Sequence, residues 1–284
     1  MTTHHLTSDR APSPVTGLTA TGRLAAIDLT WKPYDGGLVD HYEVYASQDP
    51  AARPSEATLL TRTLYPHLAH ATLGPQAVTW YYSIVTVVAS GARSRASRAV
   101  SATTTPSVST GTPLAQVGTF DHKGLEFALS PNLSSKYLTT FPHDVDFTYG
   151  SSTAARDWSY LHPGPSDSWA GRRQHTFTLR FTLDAAPTRP VGFALWLTDA
   201  HATLAGTADL AVNGATATRL TFTGGATKGS LEGDATRPGS PLKPSFYELA
   251  LDAALFTAGE NTLTLTKTAG SWIAYDALGL FQSS

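Results

Sequence analysis

Apolar and polar residues alternate with a period of two through much of this sequence, most clearly toward the C-terminus. Leucines alternate with small or polar residues at 249–251 and at 263–265, and large apolar residues dominate 272–281. A period of two places successive side chains on opposite faces of an extended chain, as in a half-buried β-strand. Because Gly259 lies in a turn-type segment between the first two stretches, we predict three strands here.

Composition favours strands in the rest of the chain as well. Hydrophobic residues make up 41% of the 284 residues, which is enough for ordinary cores, and the length suits two domains better than one. The aromatic residues include 6 Trp and 11 Tyr, which fit the half-buried surface of a sheet, whereas helix signals are nearly absent. We therefore predict an all-β protein of two domains.

Charge and cysteine content exclude several classes of function. The formal net charge is −2 and the longest basic run is Arg172–Arg173, so no basic face for phosphate groups is expected. The absence of cysteine excludes disulfides, thiolate catalysis and Cys-ligated zinc. No stretch approaches the roughly 18 apolar residues of a membrane span, and the N-terminus lacks the apolar core of a signal peptide. We expect neither nucleic acid nor membrane as a partner, and a secreted, extracellular location if the chain is part of a longer secreted protein.

The first half of the chain carries short strands at the spacing of a β-sandwich, from residue 14 to residue 104. Its motifs resemble those of fibronectin type III domains: Pro14-x-x-Gly17-Leu18, Leu29-x-Trp31, the strand Asp40–Tyr45, and the strand Trp80–Tyr82 ahead of Ser90-Gly91-Ala92. The resemblance implies a fibronectin type III-like sandwich over 14–104, an architecture that serves as a spacer in many unrelated proteins. Residues 1–13 are predicted to be an N-terminal tail, and the Ser/Thr/Pro/Gly-rich residues 105–114 a linker.

The second half, residues 115–284, is again predicted to be all-β. Period-two alternation runs through 175–184 and 190–199. Asn213-Gly214 is typical of a tight hairpin turn with positive φ at both positions. With the C-terminal strands the total comes to about eight, the number in a jelly-roll β-sandwich.

Several separated motifs in the second half occur in the same order in a known family. They are Gly118-Thr119-Phe120-Asp121, Glu126-Phe127, Asp144–Tyr160, 210–214, 258–266 and 275–280. These resemble the carbohydrate-binding-module-like C-terminal domain of polysaccharide lyase family 4, the rhamnogalacturonan lyases. In that family the catalytic Lys and His belong to a first domain that has no match in this sequence. The resemblance therefore implies a polysaccharide ligand, no catalytic residue in this chain, and a catalytic domain of a parent protein as a further partner.

The longest stretch between predicted strands, residues 136–175, mixes aromatic and basic side chains. A sugar site needs flat rings for the apolar face of a pyranose and planar polar groups for its hydroxyls. The predicted carbohydrate-binding residues are Trp158, Tyr160, Trp169, Arg172, Arg173 and Lys136. Core packing is the alternative for Trp158, and a solvated strand entry is the alternative for the arginine pair, which would suit uronate carboxylates. The Gly/Pro-rich residues 223–244 are a second candidate loop.

A structural calcium ion is the one cofactor that we consider. Sugar-binding jelly rolls often hold Ca²⁺, which prefers carboxylate and carbonyl oxygens. Asp121, Glu126 and Asp276, near the two ends of the second domain, are the predicted ligands. No D-x-D-x-D cluster accompanies them, so the sequence allows calcium without requiring it.

Three functions are open at this point. The favoured one is a carbohydrate-binding accessory protein or fragment that captures plant cell-wall polysaccharide, with rhamnogalacturonan or pectin implied only by the family resemblance. The second is a polysaccharide lyase, or the C-terminal part of one, in which Tyr160, His162 and Arg156 are the candidate base and charge-neutralising groups. The third is a structural domain that packs against the catalytic domain of a larger enzyme.

Overall fold

The computed structural model describes residues 11–229 and 233–282. Strands dominate it, and the chain divides into two compact units, residues 1–106 and 107–284. No helix within the described ranges is both long and apolar enough to cross a membrane. The all-β prediction is confirmed. Most of the predicted tail, 1–13, lies outside the described residues.

The first unit is a two-sheet sandwich. A 3-10 turn (Glu56–Thr58) accompanies seven strands: β1 (Thr19–Arg23), β2 (Ala26–Thr30), β3 (Val39–Ser47), β4 (Leu59–Thr63), β5 (His67–His70), β6 (Thr79–Val88) and β7 (Val100–Thr103). The sheets β1-β2-β5 and β4-β3-β6-β7 share one core, in which Trp31 packs edge-on against Tyr42 at a ring distance of 5.4 Å. This arrangement agrees with the predicted fibronectin type III-like sandwich.

The segment predicted as a linker, residues 105–114, is not a free spacer in its C-terminal part. A 3-10 turn (Val108–Thr110) follows Ser107 and belongs to the second unit. The carboxylate of Glu248 accepts hydrogen bonds from the Ser107 hydroxyl at 2.5 Å and from the backbone N–H of Val108 at 3.0 Å. This segment has a composition typical of linkers, but it forms an ordered turn because a distant residue, Glu248, accepts its hydrogen bonds.

The second unit is a sandwich of two five-stranded sheets, and the jelly-roll prediction of about eight strands is exceeded. The strands are β8 (Pro113–Gly118), β9 (Val145–Thr148), β10 (Leu161–His162), β11 (Thr176–Leu183), β12 (Val191–Ala200), β13 (Thr207–Val212), β14 (Ala215–Thr221), β15 (Ser245–Leu251), β16 (Gly259–Ala269) and β17 (Ile273–Gln282). The β16 sheet has the order β14-β13-β16-β11-β9. The β17 sheet has the order β10-β17-β12-β15, with β8 also paired to β17. The connections include helices α1 (Tyr137–Thr140) and α2 (Ala154–Asp157) and 3-10 turns at Ser134–Lys136, Ser168–Ala170 and Ala253–Leu255.

The two central strands of the β17 sheet, β12 and β17, are buried on both faces. The inner face of the sheet meets the β16 sheet across one apolar core, yet every residue of β12 is buried, and so are the residues of β17 from Ile273 to Phe281. Trp196 lies on the outer face among the rings of Phe120, His122 and Phe246. A strand covered on both faces carries a nearly continuous apolar run rather than alternation. β12 has such a run, Val191–Leu197, in place of the alternation predicted for 190–199, and Asp276 interrupts the run of β17.

The predicted C-terminal strands and hairpin are present. β15 and β16 belong to different sheets, so the turn before Gly259 passes from one sheet to the other. Asn213 and Gly214 close the β13–β14 hairpin with φ values of 50° and 80°. Both features follow from local turn chemistry, which explains why the sequence predicts them.

Two glycines allow β13 and β16 to approach each other closely at one end. Gly206 precedes β13 with φ 71°, and Gly270 follows β16 with φ 79°. A Cβ atom at Gly206 would lie 2.0 Å from the carbonyl oxygen of Ala269. Gly206 is therefore required both for its left-handed backbone and for the space it leaves.

Gly206→Ala is expected to lower the free energy of unfolding by about 2 kcal/mol or more, because a left-handed backbone and an overpacked contact both act against the side chain. Gly214→Ala is the matched control, since Gly214 has a φ of 80° but no atom within 4 Å of the place its Cβ would take. Urea unfolding of both variants measures the difference. Equal losses would contradict the close approach at Gly206.

Candidate functional site

Backbone hydrogen bonds join several connections into one surface at one end of the second unit. Three of these bonds run from Ser166 N–H to Gly270 O (2.9 Å), from Ser271 N–H to Leu204 O (2.6 Å), and from Ala202 N–H to Thr227 O (2.7 Å). We call this surface the loop end and define it as residues 134–140, 163–175, 201–206, 223–229 and 270–272. It lies where β11, β13 and β17 begin and where β12 and β16 end. Its loops are therefore carried by the strands of both sheets.

Trp169 is the half-buried aromatic side chain of the loop end. It lies in the 3-10 turn Ser168–Ala170, next to the turn Ser134–Lys136. Its ring meets that of the buried Tyr137 edge-on at 6.0 Å, and Tyr137 packs in turn against His175 at 5.2 Å. Packing on one side and partial exposure on the other make Trp169 a fixed indole that a ligand can reach.

A charged network fixes the chain just behind Trp169. Asp144 accepts hydrogen bonds from His175 Nδ1 at 2.7 Å and from the Thr176 N–H at 3.1 Å, and it pairs with Arg173 at 2.8 Å. Burial acts to raise the pKa of Asp144, but the hydrogen bonds from His175 and Arg173 outweigh it and hold that pKa well below its usual range. Arg173 is therefore committed to an ion pair and is poorly placed to bind a ligand's carboxylate.

Other cations at the loop end are not committed in this way. Lys136, Arg172 and Lys228 are exposed and make no ion pair within the part of the chain that the structure describes. A carboxylate arriving at this surface can pair with them without first displacing a protein partner. The predicted residues that the structure brings to the loop end are thus Lys136, Trp169, Arg172 and Arg173.

The prediction that Trp158 and Tyr160 stack on a sugar is wrong. Only 1% of Trp158 and 2% of Tyr160 is exposed. Trp158 packs edge-on against Phe177 and Tyr275, each at 5.3 Å, and burial raises the pKa of Tyr160 to about 12. The segment runs inside the unit because β10, directly after Tyr160, pairs with β17. The core-packing alternative for Trp158 is the correct one.

The candidate lyase residues, Tyr160, His162 and Arg156, do not share a cleft. His162 is fully buried, with its Nδ1 at 2.8 Å from the Tyr275 hydroxyl and its Nε2 at 2.8 Å from the His175 carbonyl oxygen. Burial lowers the pKa of His162 to about 3. Arg156 lies on the surface in α2 and is paired with Asp157. Two of the three groups are out of reach of a substrate, so this assignment is corrected.

The residues predicted to bind calcium do not fit the ion. Asp276 is fully buried, its Oδ1 accepts the N–H groups of Asp121 (3.3 Å) and Lys123 (3.0 Å), and burial raises its pKa to about 8. Glu126 accepts the Thr119 N–H at 2.9 Å. Across residues 11–229 and 233–282, no three His, Cys, Asp or Glu side chains lie close enough together to hold a metal. These carboxylates instead fasten the chain that follows β8.

A buried lysine that was not predicted from the sequence lies beneath the loop end. Lys267 is fully buried near the end of β16, where its ammonium donates to the Ala205 carbonyl oxygen and lies 4.6 Å from the centre of the Phe222 ring. Burial lowers its pKa to about 7. The signal was present in the sequence, because Lys267 continues with period two the inward series of Leu263 and Leu265.

One family matches the second unit by sequence. Its model, described as CBM-like, polysaccharide lyase family 4, domain III, matches residues 113–280, which is more than half of the chain. A search of curated proteins gave no significant match.

Solved structures resemble the chain, over part or most of its length, at low identity. An α-L-rhamnosidase from Dictyoglumus thermophilum is 11% identical, with 97% of this chain and 29% of that chain covered and a TM-score of 0.31. A family 35 carbohydrate binding module from an environmental isolate is 16% identical, covering 39% of this chain and 66% of that chain, with a TM-score of 0.25. The fibronectin type-III domain of human fibronectin type III domain containing protein 3 is 15% identical, covering 36% and 93%, with a TM-score of 0.29.

Lys267→Met is expected to change how stability depends on pH. The pKa of Lys267 is about 7 in the folded protein against a reference value of 10.5. Between these values the unfolded chain binds more protons, so the contribution of this group to stability rises with pH. The methionine variant lacks that rise. Urea unfolding of both proteins at about pH 6, 8 and 10, which spans the titration, measures the difference in unfolding free energy. A constant difference across this range would contradict the buried, easily deprotonated amine.

Proposed function

Because the chain belongs to the family of CBM-like domains of polysaccharide lyase family 4, domain III, we propose that its second unit binds an acidic plant cell-wall polysaccharide of the rhamnogalacturonan or pectin type through the loop end. The family membership supports carbohydrate binding, and the loop-end chemistry supports an acidic ligand. Because such a polysaccharide lies outside the cell, an extracellular location is part of the proposal.

The observation that carries the proposal is the position of Trp169 beside unpaired cations. A half-buried indole with one accessible side can pack against the apolar C–H face of a pyranose, which is how aromatic residues recognise sugars. Lys136 ends the adjacent turn Ser134–Lys136, and Arg172 lies three residues after Trp169. Neither makes an ion pair within residues 11–229 and 233–282. A guanidinium matches a carboxylate with two parallel hydrogen bonds. Together these groups select a uronate-containing chain over a neutral one.

Such a surface is expected to bind weakly at each contact and to depend on salt. Exposed charge pairs contribute only about 0–1 kcal/mol each and are screened by salt. Retention on a polymer therefore comes from repeated capture along the chain rather than from one tight contact. This mode suits an accessory unit that keeps a protein near its polysaccharide.

Trp169→Ala is expected to weaken binding to polygalacturonate by about tenfold, equivalent to about 1.4 kcal/mol. Arg172→Ala is expected to weaken it by about threefold, which lies within the range of one exposed charge pair. Affinity gel electrophoresis and calorimetry with polygalacturonate, rhamnogalacturonan and neutral galactan measure the effect. Tyr149→Ala is the matched control, because Tyr149 is an aromatic residue with 42% of its surface exposed, outside the loop end.

Three results would count against the proposal. Equal binding of galactan and polygalacturonate would remove the role of the cations, and unchanged affinity in both loop-end variants would place the site elsewhere. Absorbance growth at about 235 nm, where an unsaturated uronate product absorbs, would show β-elimination and replace binding with lyase activity. Trp169→Ala also removes a packing contact with Tyr137. Trp169→Phe keeps an aromatic ring at this position, so retained binding in that variant shows that the affinity lost in Trp169→Ala comes from the missing ring.

A further inference from the structure

A cavity of about 610 Å³ opens at the opposite end of the second unit from the loop end. Its walls are the connection between β11 and β12, the start of β8 and the end of β17, all within the second unit. Small-molecule sites commonly occupy cavities of about 300–1,000 Å³. The cavity is therefore large enough to admit a sugar residue.

The wall of the cavity combines an apolar base with a stiff rim. Leu114, Leu183 and Val191 line it, and they come from three strand ends. The connecting residues 184–190 include Pro187 and Pro190, each of which fixes one backbone dihedral angle. A rim with restricted backbone loses less conformational entropy when a ligand binds.

Three charged or amide side chains border the same cavity. They are Asp184, Arg189 and Gln282, all exposed. Asp184 and Arg189 pair neither with each other nor with any other residue of the described ranges. An unpaired guanidinium can take a carboxylate with two hydrogen bonds, while a carboxylate and an amide can take hydroxyl groups. A sugar acid carries both kinds of group on one ring.

From this arrangement we propose that the cavity binds one uronate residue, with Arg189 on its carboxylate and Asp184 and Gln282 on its hydroxyls. The inference rests on the proposed function, since it takes the same class of polysaccharide, and it adds a second site to it. The ten residues of β12 separate the cavity from the loop end, a distance of roughly 30 Å at about 3.3 Å per residue. A short oligosaccharide occupies the two sites independently, whereas a polymer can engage both on one chain or link two chains.

Equilibrium dialysis with trigalacturonate, too short to reach from one end to the other, tests the second site by stoichiometry. We expect two bound trimers per wild-type chain and one for Arg189→Ala. One is also expected for the double variant Trp169→Ala/Arg172→Ala, in which only the cavity is intact. Polygalacturonate affinity is expected to fall by at least about tenfold when either site is removed, because simultaneous engagement is lost.

Arg98→Ala is the matched control, because Arg98 is an exposed arginine outside the second unit that makes no ion pair with any residue the structure describes; this variant should keep both trimers. Thermal unfolding of each variant checks that the fold is intact. One trimer per wild-type chain, unchanged by Arg189→Ala, overturns the second site and leaves the proposed function standing. The second site is also overturned if the double variant Trp169→Ala/Arg172→Ala binds no trimer. A wild-type chain that binds no uronide of any length overturns the proposed function itself, and the second site with it.

Discussion

The second unit depends on covering the outer face of the β17 sheet. Trp196 stands on that face, and its indole N–H must find an acceptor once the ring is buried. Glu248 supplies the acceptor at 2.8 Å and uses the same carboxylate to bind Ser107 and Val108. One side chain thus satisfies a buried donor and fastens the chain that enters the unit. The compact unit consequently begins at residue 107, before its first strand.

The sequence predicted the fold well where structure is decided locally. The hairpin at Asn213-Gly214 and the alternating strands β11 and β16 follow from turn chemistry and side-chain period, which a single sequence displays. The prediction that residues 105–114 form a linker was partly wrong, because the structure of this segment is decided by a distant contact. Its order comes from Glu248, which lies far away in the chain and could not be assigned from composition.

The candidate site shows the same division. Trp158, Tyr160 and Trp169 lie close together in the sequence, and the residues adjacent to them do not indicate which of the three are buried in the core and which are exposed. The pairing of β10 with β17 draws the first two inward, while Trp169 follows in a turn at the end of the sandwich. Arg173 and Arg172 are likewise adjacent, but only Arg173 meets Asp144. The sequence therefore indicated the region that contains the site. Which of its residues reach the surface depends on the pairing of distant strands, which the sequence alone does not show.

The burial of Lys267 provides a way to measure local opening of the second unit. Burial holds the pKa of this amine at about 7, so the pKa rises toward the ordinary lysine value of 10.5 whenever the chain around it opens to water. In the closed structure it is fully buried under Phe222 and Ala205, and no acylating reagent reaches it. The rate at which it is acylated is then set by how often the chain around it opens. The protein carries its own built-in reporter of local opening beneath the surface that we assign to the ligand.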